Sequence, residues 1–193
     1  MSRHKEILID FLNDILKGQK IIMDLRITNK EVLGKQIDNR SVLIDVACEG
    51  ENGETFIVEV QRASQKFFND RALYYCANII TTNAPKGKYN GVEWDYEQKE
   101  IYFVGILDFL LSNAPKQQYF HRVNLEYEGT HLKFSKKFQM SFLEVPKFSK
   151  EDNIISGIDQ WMYIFKNLKN LKEVPRFLRI PKFKKLFAAS NYL

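Results

Sequence analysis

An α/β domain, a mixed central β-sheet flanked by helices, is predicted by three observations. Helical spacing of apolar residues opens the chain and recurs at 69–83 and 154–171. Two alternating apolar runs, 41–49 and 55–63, flank a turn-rich stretch. A third run, 100–111, is apolar on both parities, as a strand buried on both faces must be. Helices interleaved with such strands cover the two faces of a sheet. The 193 residues suit one domain of ordinary composition, 45% apolar. We read 1–150 as the core domain and 151–193 as a basic helical segment packed on it or extending it.

In order, Ile7, Leu8, Phe11, Leu12, Ile15 and Leu16 line one face of a first helix, with Ser2 as its expected cap and Gly18 as its stop. "IIMDLRI" (21–27) reads as a strand and 28–41 as a polar connection. "SVLIDVACE" (41–49) and "TFIVEVQRA" (55–63) read as paired strands. Leu73, Cys76, Ala77 and Ile80 predict a second helix ending near Pro85 and Gly87. "EIYFVGILDFLL" is the central strand, expected to run on into a helix; "HRVNLEYEG" and "LKFSKKFQMSFLEVP" form a hairpin. Trp161, Ile164, Phe165 and Leu168 place a helix over 154–171.

Glu59 and Gln61 interrupt the second paired strand and project from one face, since strand side chains alternate. Two registers compete. A five-residue connection over 50–54 sets Asp45 opposite Glu59 and pairs Ile44 with Val60, Val46 with Val58 and Cys48 with Phe56, apolar against apolar. A two-residue turn at Asn52-Gly53 has the better turn chemistry but sets Ile44 against Gln61 and Val46 against Glu59. Pattern favours the first.

In that register two carboxylates stand about 4.5–5.5 Å apart across neighbouring strands. Alone they repel; a divalent cation turns the pair into a site. Mg²⁺ or Mn²⁺ accepts hard oxygens from one or two carboxylates, with waters and phosphate completing the shell. Asp45, Glu59 and the main-chain carbonyl of Val60 are the expected metal ligands, and Gln61 orients the water or phosphate beside them.

"IDV" (44–46), "VEVQ" (58–61) and "RALYY" (71–75) together resemble the PD-(D/E)XK nuclease family transposases, close to the recombination-promoting nucleases. "LIDFLNDIL", "PKGKYN" with "WDY", "IYFVGILDF" and "FLEVPKF" extend the likeness over most of the chain. The resemblance implies a restriction-endonuclease-like core and a metal-dependent DNA endonuclease associated with mobile elements or recombination. Asp45 and Glu59 would be metal ligands, with Gln61 in place of the wider superfamily's lysine.

An amide carries no charge, so Gln61 leaves a cation to be supplied. Arg71 is the expected DNA-phosphate contact, heading a stripe with Tyr75, Asn78 and Thr82; an ion pair with Asp70 or Glu59 is the alternative. An acid from the first helix, Glu6, Asp10 or Asp14, either joins the site or only solvates its helix. The chain begins almost at the first helix and ends at "LFAASNYL", where relatives continue. The runner-up reading is therefore a truncated, non-catalytic DNA-binding or protein-interaction module.

Net charge is +5, and positions 166–185 hold eight basic residues against Glu173, leaving the remainder at −2. Lys172, Arg176 and Arg179 are read there as a DNA contact, with solvated helix faces as the alternative. Cys48 and Cys76 form no metal-binding spacing and suit a reducing compartment. Charges throughout the first 18 residues exclude a signal peptide core, and no run reaches the ~20 apolar residues of a membrane span. A cytoplasmic location follows. His4, His121 and His131 lack paired ligand spacing and are read as structural or surface groups. Trp94, Tyr96 and Tyr102 are read as core or rim before base-stacking groups, and Asp108 as a cap or hydrogen-bonded acid.

Overall fold

The computed structural model describes residues 3–28, 45–84, 88–89, 92–93 and 95–189. Ser2, Ile44, most of the polar connection 28–41, Pro85, Gly87 and Trp94 lie outside them. Helix α1 (Arg3–Ile15) leads into β1 (Leu25–Thr28), β2 (Val46–Gly50), β3 (Thr55–Gln61) and helix α2 (Phe68–Asn83). A two-stranded ribbon, β4 (Lys88–Tyr89) and β5 (Val92–Glu93), precedes β6 (Ile101–Leu107), β7 (Phe120–Glu126) and β8 (Lys133–Glu144). Helices α3 (Gly157–Asn167) and α4 (Pro181–Ala189) complete the order.

Six strands form one mixed sheet in the order β1-β2-β3-β6-β8-β7. β3 pairs with β6 and β6 with β8 in parallel, the other neighbours antiparallel. Consecutive parallel strands need a crossover, and α2 supplies the one between β3 and β6. β6 is buried at every position, as its unbroken apolar run requires.

Side-chain parity divides the core into two layers. Phe56, Val58, Tyr102, Val104 and Ile106 face α1, α3 and α4, packing with Phe11, Leu12, Trp161, Phe183 and Phe187. Ile57, Phe103, Met140 and Phe142 face α2 through Phe68, Ala72, Cys76 and Ile79. Tyr102 stacks on Phe56 at 5.2 Å between ring centroids, so it is core. α4 packs Phe183 against Trp161 at 4.9 Å, placing α4 in the first layer's core.

Three elements differ from expectation. β6 stops at Leu107 and no helix follows it: the Asp108 side chain is exposed and its N–H donates to the Gln61 carbonyl at 2.9 Å, the last rung beside β3. The helix expected over 154–171 begins only at Gly157, because Ser156 caps it by accepting the Asp159 N–H at 3.0 Å; a 3-10 turn takes over at Leu168. The ribbon β4–β5 was not foreseen, its two-residue strands being too short for periodicity to mark. Among the described residues no helix is long and apolar enough to cross a membrane.

Candidate active site

The β2–β3 register pairs Val46 with Val58, Cys48 with Phe56 and Glu49 with Thr55, the register favoured by pattern. The five-residue connection closes with the Gly50 N–H on the Glu54 carbonyl at 2.8 Å and Gly53 at φ +80°, where a residue without Cβ is needed. Continued by one residue, the register brings Asp45 opposite Glu59 on the α2 face. The proposed pairing of Ile44 with Val60 lies outside the described residues.

The two acids interlock through main chain. A carboxylate oxygen of Asp45 accepts the Val60 N–H at 2.7 Å, and Oε2 of Glu59 accepts the Asp45 N–H at 3.3 Å. The Gln61 carbonyl is taken up by β6, and main-chain groups alternate along a strand. The N–H and carbonyl of Val60 therefore address the opposite edge, the one where Asp45 stands. Asp45, Glu59 and the Val60 carbonyl thus lie at one place, the carboxyl end of β3, where open sheets with parallel strands bind ligands.

Glu59 is buried, 1% exposed, and its other oxygen holds two donors. Gln61 Nε2 donates to Oε1 at 2.7 Å and Arg71 Nη2 donates to the same oxygen at 2.8 Å. Arg71 reaches it from the first turn of α2, which the β3–α2 connection lays over the odd-numbered face of β3. The guanidinium also donates through Nη1 to Gln65 Oε1 at 2.6 Å and through Nε to the Tyr75 hydroxyl, lying 5.0 Å from that ring's centroid. Gln65 closes the circuit by donating to Gln61 Oε1 at 3.1 Å.

Burial pushes the Glu59 carboxyl above its ordinary range; hydrogen bonds from Gln61 and the Asp45 amide and the charge of Arg71 pull against it, and Asp45 adds repulsion. Burial likewise raises the Tyr75 phenol, against the pull of Arg71. Glu59 pairs in register with Gly105 of β6, where a Cβ would come within 3.0 Å of the Phe142 ring. Gly105 thus makes room for the Phe142 ring on the strand next to Glu59.

Of the expected stripe, Arg71 reaches Glu59 and Tyr75 holds the Arg71 guanidinium, while Asn78 turns back to the Tyr74 carbonyl at 3.1 Å and Thr82 is exposed. The ion pair with Glu59 is the partner Arg71 has; Asp70 is exposed. Asp14 neither joins the site nor merely solvates its helix: it accepts Trp161 Nε1 at 2.7 Å and pairs with Lys182, tying α1 to α3 and α4 on the other face of the sheet. His121 is buried against Glu144 at 2.7 Å, and His131 is exposed on the β7–β8 hairpin. Gln65 was missed; it lies in an irregular connection, where no periodicity marks which side chain turns inward.

Lys172, Arg176 and Arg179 are exposed on the segment joining α3 to α4, whose Phe177, Leu178 and Ile180 pack into the α1 layer. The fold does not bring them together with Asp45 and Glu59. Arg179 is engaged locally, donating to the Val174 carbonyl at 2.8 Å.

A family model described as PD-(D/E)XK nuclease family transposase matches residues 2–193. The chain belongs to this family. No curated protein and no solved structure matched it significantly. A mixed six-stranded sheet with helices on both faces is the architecture of a PD-(D/E)XK nuclease core, and membership supports a nuclease role in general. Such nucleases generally use divalent metals. Among the described residues no three His, Cys, Asp or Glu side chains gather as a metal cluster. The two carboxylates and the carbonyl at the end of β3 are nevertheless hard oxygens, a donor set that fits a cation taking its remaining ligands from water and phosphate.

Proposed function

We propose that this protein is a Mg²⁺- or Mn²⁺-dependent DNA endonuclease of the mobile-element or recombination-associated kind, hydrolysing phosphodiester bonds at Asp45, Glu59 and Gln61. The reading is carried by one observation: Asp45 and Glu59, two residues of like charge, interlock through the Asp45 and Val60 amides beside a guanidinium. An acid pair of that kind, with one member buried, costs stability and is retained where it holds a cation.

Asp45, Glu59 and the Val60 carbonyl would hold the metal. When bound, it lowers the pKa of a water and polarises the scissile phosphate. The Gln61 amide orients water or phosphate by hydrogen bonding, but is no base. Arg71 offers the guanidinium fork that suits a phosphate oxygen pair. Lys172, Arg176 and Arg179 are assigned a supporting contact to the DNA backbone away from the scissile bond.

Cys48 and Cys76 are both buried, on opposite faces of the sheet, and burial pushes their thiols up to about 11 and about 12. They are inert and cannot pair, which suits the cytoplasm. Nicking of supercoiled plasmid with Mg²⁺ or Mn²⁺, run beside Glu59→Ala, tests the proposal. Activity lost in the variant supports it; salt-dependent DNA binding with no cleavage under either metal supports the non-catalytic binding module instead.

A further inference from the structure

Glu59 already holds a cation, and that cation is part of the chain. Oε1 carries two donors, Gln61 and Arg71, and the side chain is 2% exposed, so nothing reaches that oxygen from solvent without displacing one of them. Gln61 is neutral and follows Glu59 on the same strand face. Arg71 is charged, comes from another element, and has alternative partners.

Charge balance shows what a second cation does. Asp45 and Glu59 bring −2 and Arg71 +1. A divalent ion added on top of the arginine leaves a site built on one buried carboxylate at +1, whereas an ion that replaces it leaves the site neutral. The guanidinium is built to let go of one contact without leaving: Nη1 stays on Gln65, Nε stays on the Tyr75 hydroxyl, and the ring of Tyr75 lies 5.0 Å away. Arg71 is thereby tethered beside the acids whether or not it touches them.

We propose that Arg71 and the divalent cation compete for Glu59, so that Arg71 closes the site in the metal-free protein and is handed to a DNA phosphate when metal enters. The inference rests on the nuclease reading and adds to it a coupling. A phosphate that draws the guanidinium from Glu59 strengthens cation binding by the same factor by which the cation strengthens phosphate binding. The site is then occupied fully only when both arrive, and free metal is held weakly.

The test uses the full chain without DNA and Ca²⁺ as the probe, read by titration calorimetry and by NMR of the arginine side-chain nitrogens. Arg71→Gln is expected to tighten Ca²⁺ binding by roughly tenfold or more, as removal of a contacting like charge from a poorly solvated site predicts. Lys66→Ala removes an exposed charge of the β3–α2 connection whose ammonium lies over the Phe67 ring, and is expected to change the affinity less than about twofold. In the wild type, the Nη signals of Arg71 are expected to be resolved without metal and to merge on Ca²⁺ saturation; this arm needs no variant to fold. Ca²⁺ binding that is lost in Asp45→Asn yet equal in wild type and Arg71→Gln overturns the competition and leaves the nuclease reading standing. Unchanged Arg71 signals at saturation overturn it equally. No Ca²⁺ or Mn²⁺ binding by any form overturns the metal site itself, and the competition with it.

Discussion

The carboxylate of Asp45 accepts the main-chain N–H of Val60 at 2.7 Å, standing just beyond the last described rung between β2 and β3. One side chain thus ends a ladder and supplies a negative charge at the strand terminus. These roles separate on substitution. Asp45→Asn keeps an oxygen acceptor for Val60 and removes the charge. We expect stability within about 1 kcal/mol of wild type, since a neutral acceptor replaces an ionised one at a partly exposed position. Cleavage is expected to be abolished. Urea unfolding and plasmid nicking on the same preparation check both; an active Asp45→Asn variant removes Asp45 from the proposed metal site.

Asp14 separates an acid that builds the fold from the acids proposed to serve the chemistry. It accepts the indole N–H of Trp161, which is 3% exposed, and pairs with Lys182. Gly157 stands so close that a Cβ there would fall 2.1 Å from an Asp14 oxygen. Asp14→Ala strands a buried donor and should cost about 1–3 kcal/mol. Calorimetric Ca²⁺ affinity should be unchanged, because Asp14 serves the opposite face of the sheet. A variant that keeps full stability but loses Ca²⁺ would return a first-helix acid to the site.

The β2–β3 register was legible because only one alignment sets apolar against apolar on both faces, and hydrophobic matching across whole strands outweighed the Asn52-Gly53 turn signal. Glu59 and Gln61 were legible as a polar pair on one parity of an apolar run. The partners of Asp14 were not: they lie 147 and 168 residues away, and a helix's polar side reads the same whether it meets water or another helix. The choice between an ion pair and a phosphate contact for Arg71 was equally hidden, since helical spacing fixes the side it faces but not which acid lies across from it.

Glu54 predicts the acid limb of stability. It is 4% exposed in the β2–β3 turn, paired with Lys20, which also bonds Glu100 at 2.7 Å, and capped by the Asn52 N–H at 2.9 Å. Burial alone would raise its carboxyl, but Lys20 and Asn52 outweigh it and bring the pKa down to about 2. A depressed folded pKa means the stabilisation is complete above the unfolded value near 4.5 and is lost as pH falls from there toward 2. The contribution is at most about 3 kcal/mol. Glu54→Gln should flatten the unfolding profile between those pH values and lower stability at neutral pH. Equal slopes in both proteins would refute the assignment.

Glu144 holds the far end of β8 in place. Fully buried, it meets His121 at 2.7 Å and Lys147 at 2.6 Å on one oxygen, and accepts the Leu111 N–H at 2.8 Å on the other. One carboxylate therefore ties together β7, β8, the turn after β8 and the connection leaving β6. Glu144→Ala leaves a lysine and an imidazole in a buried space with no acid between them, and should cost about 3–5 kcal/mol. Chemical unfolding measures it; a loss under 1 kcal/mol would mean water replaces the carboxylate.

The basic segment between α3 and α4 supplies the last expectation, and its position decides the form. Lys172, Arg176 and Arg179 project from residues whose apolar neighbours, Phe177 and Leu178, are anchored in the α1 layer, away from Glu59. Residues so placed can neutralise backbone phosphates but stand apart from the proposed site at Asp45 and Glu59. Their triple alanine variant should weaken DNA binding uniformly across sequences and reduce the slope of log K against log salt by about 2–3, one counterion for each lost phosphate contact. Ca²⁺ affinity should not move, and cleavage at saturating DNA should persist. Arg71→Gln should do the reverse, with a slope change near 1 and altered Ca²⁺ affinity. An unchanged salt slope in the triple variant would leave those three side chains as a solvated surface and confine DNA recognition to other groups.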